Sequence, residues 1–302
     1  MNFTEDNFKA WSKRLSDTEA ETCTNAEKMV KKAIAASDAL SALSISVFAQ
    51  GSYRANTNVR QNSDVDICIR YDGAFFPLYP KEMNRESFKH NDSSLSFSGY
   101  KSLVHEALVS YFGVEGVSRG NKAFEIHGNS YRIGTDLVPT FEYRYYTGKK
   151  NINGSDHFIS GVAFRPDEGD LIKNWPQQTY DNGVKRNNET GRRYKRTIRV
   201  FKRMRDKMIE DEIGATEPIP SYLIECLLWN AEAAIFEHET FTDRIRGLIV
   251  DLWNRTKSDR DCSKWCEVNG IKLLFGKHQP WEQAEVHAFL YSLWKYAGYK
   301  SQ

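Results

Sequence analysis

At 302 residues the chain can form one large domain or two packed ones with their own cores, so neither disulfides nor a structural metal is needed to hold it. An apolar share of 40% with 13% aromatics excludes global disorder, and a net charge of +2 excludes the broad basic field of a nonspecific nucleic-acid binder. There is no leader-like start in MNFTEDNFKAW and no apolar run of about eighteen residues, and five scattered cysteines suit a reducing compartment. A cytoplasmic protein with no membrane partner is expected.

In chain order, 17–40 is rich in Ala, Glu and Lys, lacks Gly and Pro, and repeats apolar residues at helical spacing, which predicts a long helix. Ser44 to Gln50 (SISVFAQ) reads as a strand, Gly51-Ser52 breaks it, and Asp64 to Arg70 (DVDICIR) alternates as a second strand. Residues 72–98 read as an irregular excursion before a helix near 100–112. Lys122 to Ile126 and Ser130 to Phe141 alternate on either side of Gly128-Asn129, a hairpin pattern. Beyond Trp175-Pro176 the pattern turns helical, with helices expected at 189–210, 221–237, 240–254 and 282–296. The fold class is therefore α+β. The expected division is an N-terminal core over 1–175, including the long helix, and a helical lobe over 176–302.

Asp64 and Asp66, two apart on one strand, project from the same face about 7 Å apart at Cα. Two carboxylates so placed can share a pair of metal ions. Attack of a ribose hydroxyl on an α-phosphate uses such a pair: one ion activates the hydroxyl and the other offsets charge on the departing pyrophosphate. Asp136, in Ile133-Gly134-Thr135-Asp136-Leu137-Val138-Pro139, interrupts an apolar strand, where an acid is costly to bury unless paired or metal-bound, and it is the candidate third ligand. Gly51-Ser52 supplies a turn whose N–H groups and hydroxyl can grip phosphates. The cofactor expected is two Mg²⁺ ions, with Mn²⁺ as the substitute. Cys262 and Cys266 lack a second pair at zinc spacing, and the seven His residues form no ligand-spaced cluster.

Between Lys185 and Lys207 eleven Lys or Arg stand against Glu189 and Asp206. In this segment Tyr194, Ile198, Phe201 and Met208 share a helical face, while Arg192, Arg196, Arg199 and Arg203 are spaced to project together elsewhere, where several could meet triphosphate charge.

The Gly-Ser turn followed by D-x-D resembles the polymerase-β-like nucleotidyltransferases, and GSYRANTNVRQNSDVDI is similar to the bacterial CD-NTases, relatives of cyclic GMP-AMP synthase and oligoadenylate synthase. The resemblance implies a two-lobed enzyme with its site in the cleft between the nucleotidyltransferase core and an oligoadenylate-synthase-like helical lobe. It implies that Lys202 contacts donor triphosphate, that Ser221 contacts phosphate and that Tyr222 stacks a base. A hydroxyl at a helix start and an adjacent ring fit those roles. The stretch Asp170 to Pro176 also resembles the CD-NTase connection between lobes. The implied reaction condenses nucleoside triphosphates into a cyclic oligonucleotide second messenger; ATP is the expected substrate, with UTP the next candidate. A downstream effector of antiphage (CBASS) signalling would sense it. Transfer to an RNA end or a small molecule, or a relative that binds nucleotide without catalysis, are the alternatives.

Overall fold

The computed structural model describes residues 2–59 and 64–299. Residues Arg60 to Ser63 of the quoted motif lie outside the described residues. The chain forms two compact units. One comprises Ser16–Tyr53 and Asp64–Pro176, and the other comprises Met1–Leu15, Arg54–Ser63 and Gln177–Gln302. The division is thus not a single cut. Among the described residues, Asn2 to Leu15 and Arg54 to Val59 go with the helices.

In the first unit, α2 (Asp17–Ala35) opens with a capping box: the Glu19 N–H donates to Ser16 Oγ and the Ser16 N–H to Glu19 Oε2. It ends well before residue 40, and a short α3 (Asp38–Ser41) follows, started by Ser37. Then come β1 (Ile45–Ala49) and α4 (Gly51–Ala55), so the Gly-Ser turn is the first turn of a short helix. β2 (Val65–Leu78) is twice the expected length. Asp72-Gly73-Ala74 reads as a turn locally but is a bulge, because pairing resumes at Phe75 against the partner strand. α5 (Phe97–Phe112) is capped by Ser96 and precedes β3 (Val117–Arg119) and β4 (Phe124–Ile126). β5 (Thr135–Lys150) pairs with β4 antiparallel, as the alternation predicts, but runs on to pair with β6 (Asp156–Phe164), which in turn pairs with β7 (Ile172–Asn174).

Among the described residues seven strands form one mixed sheet, ordered β1-β2-β5-β4-β3 with β6 and β7 continuing from β5. The pairing of β2 with β5 is parallel and the others are antiparallel. α2 and α5 pack against each other and on the sheet, and the Tyr100 hydroxyl donates to Ile69 O at 2.9 Å.

The second unit contains α1 (Glu5–Trp11), then α6 (Pro176–Glu189), α7 (Tyr194–Glu210), α8 (Ser221–Asn230), α9 (Phe241–Arg255), α10 (Asp259–Cys262) and α11 (Gln283–Tyr296). The helix expected from 189 starts only at Tyr194, since the chain turns through left-handed Gly191 and Arg192 and the Thr190 hydroxyl accepts the Tyr194 N–H. Arg192 is therefore off the helix. α8 is shorter than expected, with a 3₁₀ turn over 233–237. Tyr194, Phe201, Leu227, Leu248 and Leu290 lie in its core. No helix among the described residues is long and apolar enough to cross a membrane.

Candidate active site

Parallel pairing of β2 with β5 sets Asp66 opposite Asp136, between Val65 opposite Thr135 and Ile67 opposite Leu137. The flanking four side chains are buried, so the alternation sends both aspartates to the other face. Strand spacing holds their Cα atoms about 4.8 Å apart. Glu125 of β4 faces Asp136 from the other side and extends the acidic row. Asp64 is exposed and sits one residue before β2, where the Val65 N–H donates to Gly134 O at 3.1 Å.

Two glycines seat the carboxylates. A Cβ on Gly51 would stand 2.0 Å from Asp66 Oδ2, and Gly51 also holds a left-handed φ of +64°. A Cβ on Gly134 would stand 2.6 Å from Asp64 Oδ1. Any side chain at either position would push a carboxylate away. Gly134 carries no catalytic signature in sequence, and only this close approach marks it.

Burial raises the Asp136 carboxyl above the ordinary range, and the charges of Asp64 and then Glu125 raise it further. Facing anions around a half-buried acid are a strained arrangement that a divalent cation would relieve. Among the described residues no three carboxylate, imidazole or thiol groups converge closely enough to enclose an ion. An open set of carboxylates nevertheless fits a hard cation such as Mg²⁺, which keeps waters and takes one or two carboxylates together with substrate phosphates.

In the helical unit Ser221 is exposed at the first position of α8, with Pro220 as the residue before it. Tyr222 is half-buried against the core, and its hydroxyl donates to Glu267 Oε2 at 3.2 Å. Lys202 is 2% exposed, and its ammonium donates to Glu225 Oε1 at 2.6 Å. The Thr57 hydroxyl donates to the same oxygen at 2.7 Å. Direct contact with a triphosphate would require Lys202 to leave a buried carboxylate. Arg199 is likewise enclosed, donating to Ser12 O and Asn56 O, whereas Arg196 is exposed and Arg203 is paired with Asp206. With Arg192 off the helix, Arg199 buried and Arg203 paired, the four arginines do not present one exposed cationic face. Glu225, missed from sequence, does carry a signal: it is the acid in the apolar run Tyr222-Leu223-Ile224-Glu225-Cys226-Leu227-Leu228.

A sequence profile of the cGAS/DncV-like nucleotidyltransferase C-terminal helical domain matches residues 181–298. The cyclic dipyrimidine nucleotide synthase CdnE of Legionella pneumophila is 42% identical, covering 97% of each chain. A protein of the same name from Cecembia lonarensis is 39% identical over 97% of this chain and 98% of its own. The solved structure of the Elizabethkingia meningoseptica CdnE cyclic dinucleotide synthase with GTP and Apcpp superposes with a TM-score of 0.81 at 32% identity, covering 99% of this chain and 100% of that one. With similarity of this extent running from end to end, the chain belongs to the CD-NTase family of nucleotidyltransferases.

Proposed function

We propose that the protein joins two nucleoside triphosphates into a cyclic dinucleotide, with Asp64, Asp66 and Asp136 holding two Mg²⁺ ions. The observation that carries this reading is the acidic row across β2 and β5 with glycines beneath two of its carboxylates. When bound there, the ions would activate a ribose hydroxyl and offset charge on the leaving pyrophosphate. Asp136 faces the attacking sugar and takes part in removing its hydroxyl proton. The first-turn amides of α4 and the Ser52 hydroxyl hold the triphosphate. Ser221 adds a phosphate contact, and the ring of Tyr222 stacks a base.

Lys202 acts as the counter-ion of Glu225. Leaving a buried carboxylate unpaired costs about 3–5 kcal/mol, too much to surrender for one more phosphate contact.

UTP is placed ahead of ATP as substrate. The relatives at 42% and 39% identity are named for dipyrimidine products, while the structure with GTP and Apcpp is 32% identical. An antiphage role, with an effector that senses the product, completes the proposal. Incubation with all four ribonucleoside triphosphates and Mg²⁺, omitting one at a time, followed by mass spectrometry, tests it. A phosphatase-resistant cyclic product lost on omitting UTP is expected. Absence of any product from triphosphates alone would overturn the reading.

A further inference from the structure

Glu267 is a carboxylate only 4% exposed in the helical unit. A charge so enclosed is tolerated only when its oxygens are met by donors. Gln279 Nε2 at 2.8 Å and Lys272 Nζ at 3.1 Å reach Oε1. Asn269 Nδ2 at 2.8 Å and the Tyr222 hydroxyl at 3.2 Å reach Oε2.

Three of those donors belong to the loop that carries Glu267, and that loop is organised without Tyr222. The Glu267 N–H donates to Lys272 O, the Gly270 N–H to Glu267 O, and Asn269 Oδ1 accepts the Ile271 and Lys272 N–H groups. The fourth donor comes from the start of α8, where the Cys226 thiol also meets the phenol. Asn230 and Asn182 also hold the loop backbone at Cys266 and Val268, so the carboxylate joins the far end of one tyrosine side chain to a loop already fixed without it.

We propose that Glu267 is a positioning residue for nucleotide binding: it fixes the axis of the Tyr222 ring, so that the ring meets a nucleobase already aligned. The inference rests on Tyr222 stacking a base. A tyrosine side chain has two rotatable bonds, and an anchor on its hydroxyl removes the swing of the ring that base binding would otherwise have to halt. Stacking on an aromatic ring is worth about 5- to 150-fold in affinity, so a misdirected ring forfeits part of that.

The test uses the full chain and steady-state kinetics for each nucleoside triphosphate it consumes. E267Q keeps the shape but replaces an accepting oxygen with a donor, and should raise KM for one nucleotide about tenfold with a smaller change in kcat. Y222F, which removes only the hydroxyl, should do the same, and E267Q should add nothing on top of Y222F. An equal effect of E267Q with and without Y222F, accompanied by a lower Tm, would assign Glu267 to its own loop and overturn the inference. If E267Q does not fold, Y222F decides: an unchanged KM overturns the inference. Y222A separates the underlying reading, because unchanged kinetics there would remove base stacking itself. Impaired Y222A beside a silent Y222F would refute the anchoring alone.

Discussion

Gly134→Ala tests the seat beneath Asp64 with little else disturbed. The new Cβ would lie 2.6 Å from Asp64 Oδ1 and 3.4 Å from its Cγ. Ordinary carbon–oxygen approaches are about 3.3–3.6 Å, so the carboxylate must retreat by about 0.7–1 Å. A misplacement of about 1 Å at a reacting centre costs about 10²-fold, or about 2.7 kcal/mol of barrier. The fold should be spared. Asp64 is exposed and free to swing, and Gly134 is not among the glycines with left-handed backbone. Stability should change by no more than about 0.5 kcal/mol, a shift of about 2 °C or less in Tm. Gly51→Ala is a blunter probe, since it adds about 1–2 kcal/mol of backbone strain to a 2.0 Å clash with Asp66. The assay is the rate of nucleotide joining across a Mg²⁺ titration, read by mass spectrometry beside thermal denaturation. A Gly134→Ala variant with wild-type kcat at every Mg²⁺ concentration would refute the claim that Asp64 works from this seat.

Asp64→Asn with Asp66→Asn should abolish product while the Tm holds or rises, because the Asp64 charge is one of those that raise Asp136; circular dichroism and turnover together check this. Glu225→Leu or Lys202→Met singly should destabilise by about 3–5 kcal/mol, and the double variant should recover most of it. Retained turnover in the double variant is expected of a counter-ion, whereas a folded but inactive double variant would return Lys202 to the triphosphate. Glu5 accepts the Phe241 and Thr242 N–H groups at 2.9 Å. Burial raises its carboxyl, but those amides, the Thr242 hydroxyl and Lys9 more than offset this and leave it below the ordinary 4.5. A depressed folded-state value means its contribution is present above pH 4.5 and lost as pH falls through the lower value. Glu5→Gln should therefore cost about 1 kcal/mol at neutral pH, with the gap to wild type closing in acid. A gap in denaturation midpoint that stays constant on acidification would contradict that.

Element type was legible wherever a pattern is local. The apolar spacing in the Ala-, Glu- and Lys-rich run from Asp17, the helical pattern of 240–254 and the alternation of Asp64 to Arg70 are contiguous signals, and each marks a real element. Failures fall where a long-range partner overrules the local signal. Asp72-Gly73-Ala74 has turn chemistry, yet pairing with β5 carries β2 on to Leu78. The strands β6 and β7 and the short α1 lack a periodicity long enough to stand out.

The amino-acid sequence by itself determined that two carboxylates share a strand face after a Gly-Ser turn, because a period of two is written in adjacent residues. It also selected Asp136, since an acid in an apolar strand needs a reason. Only the tertiary structure decided that β2 and β5 run parallel in a register that sets Asp66 against Asp136, some seventy residues apart in sequence. It decided too that Gly134 lies under Asp64, that Lys202 is held by Glu225, and that Tyr222 is held by Glu267. Strand register and the partner of a buried charge follow from how distant segments pack together, and no local periodicity records that.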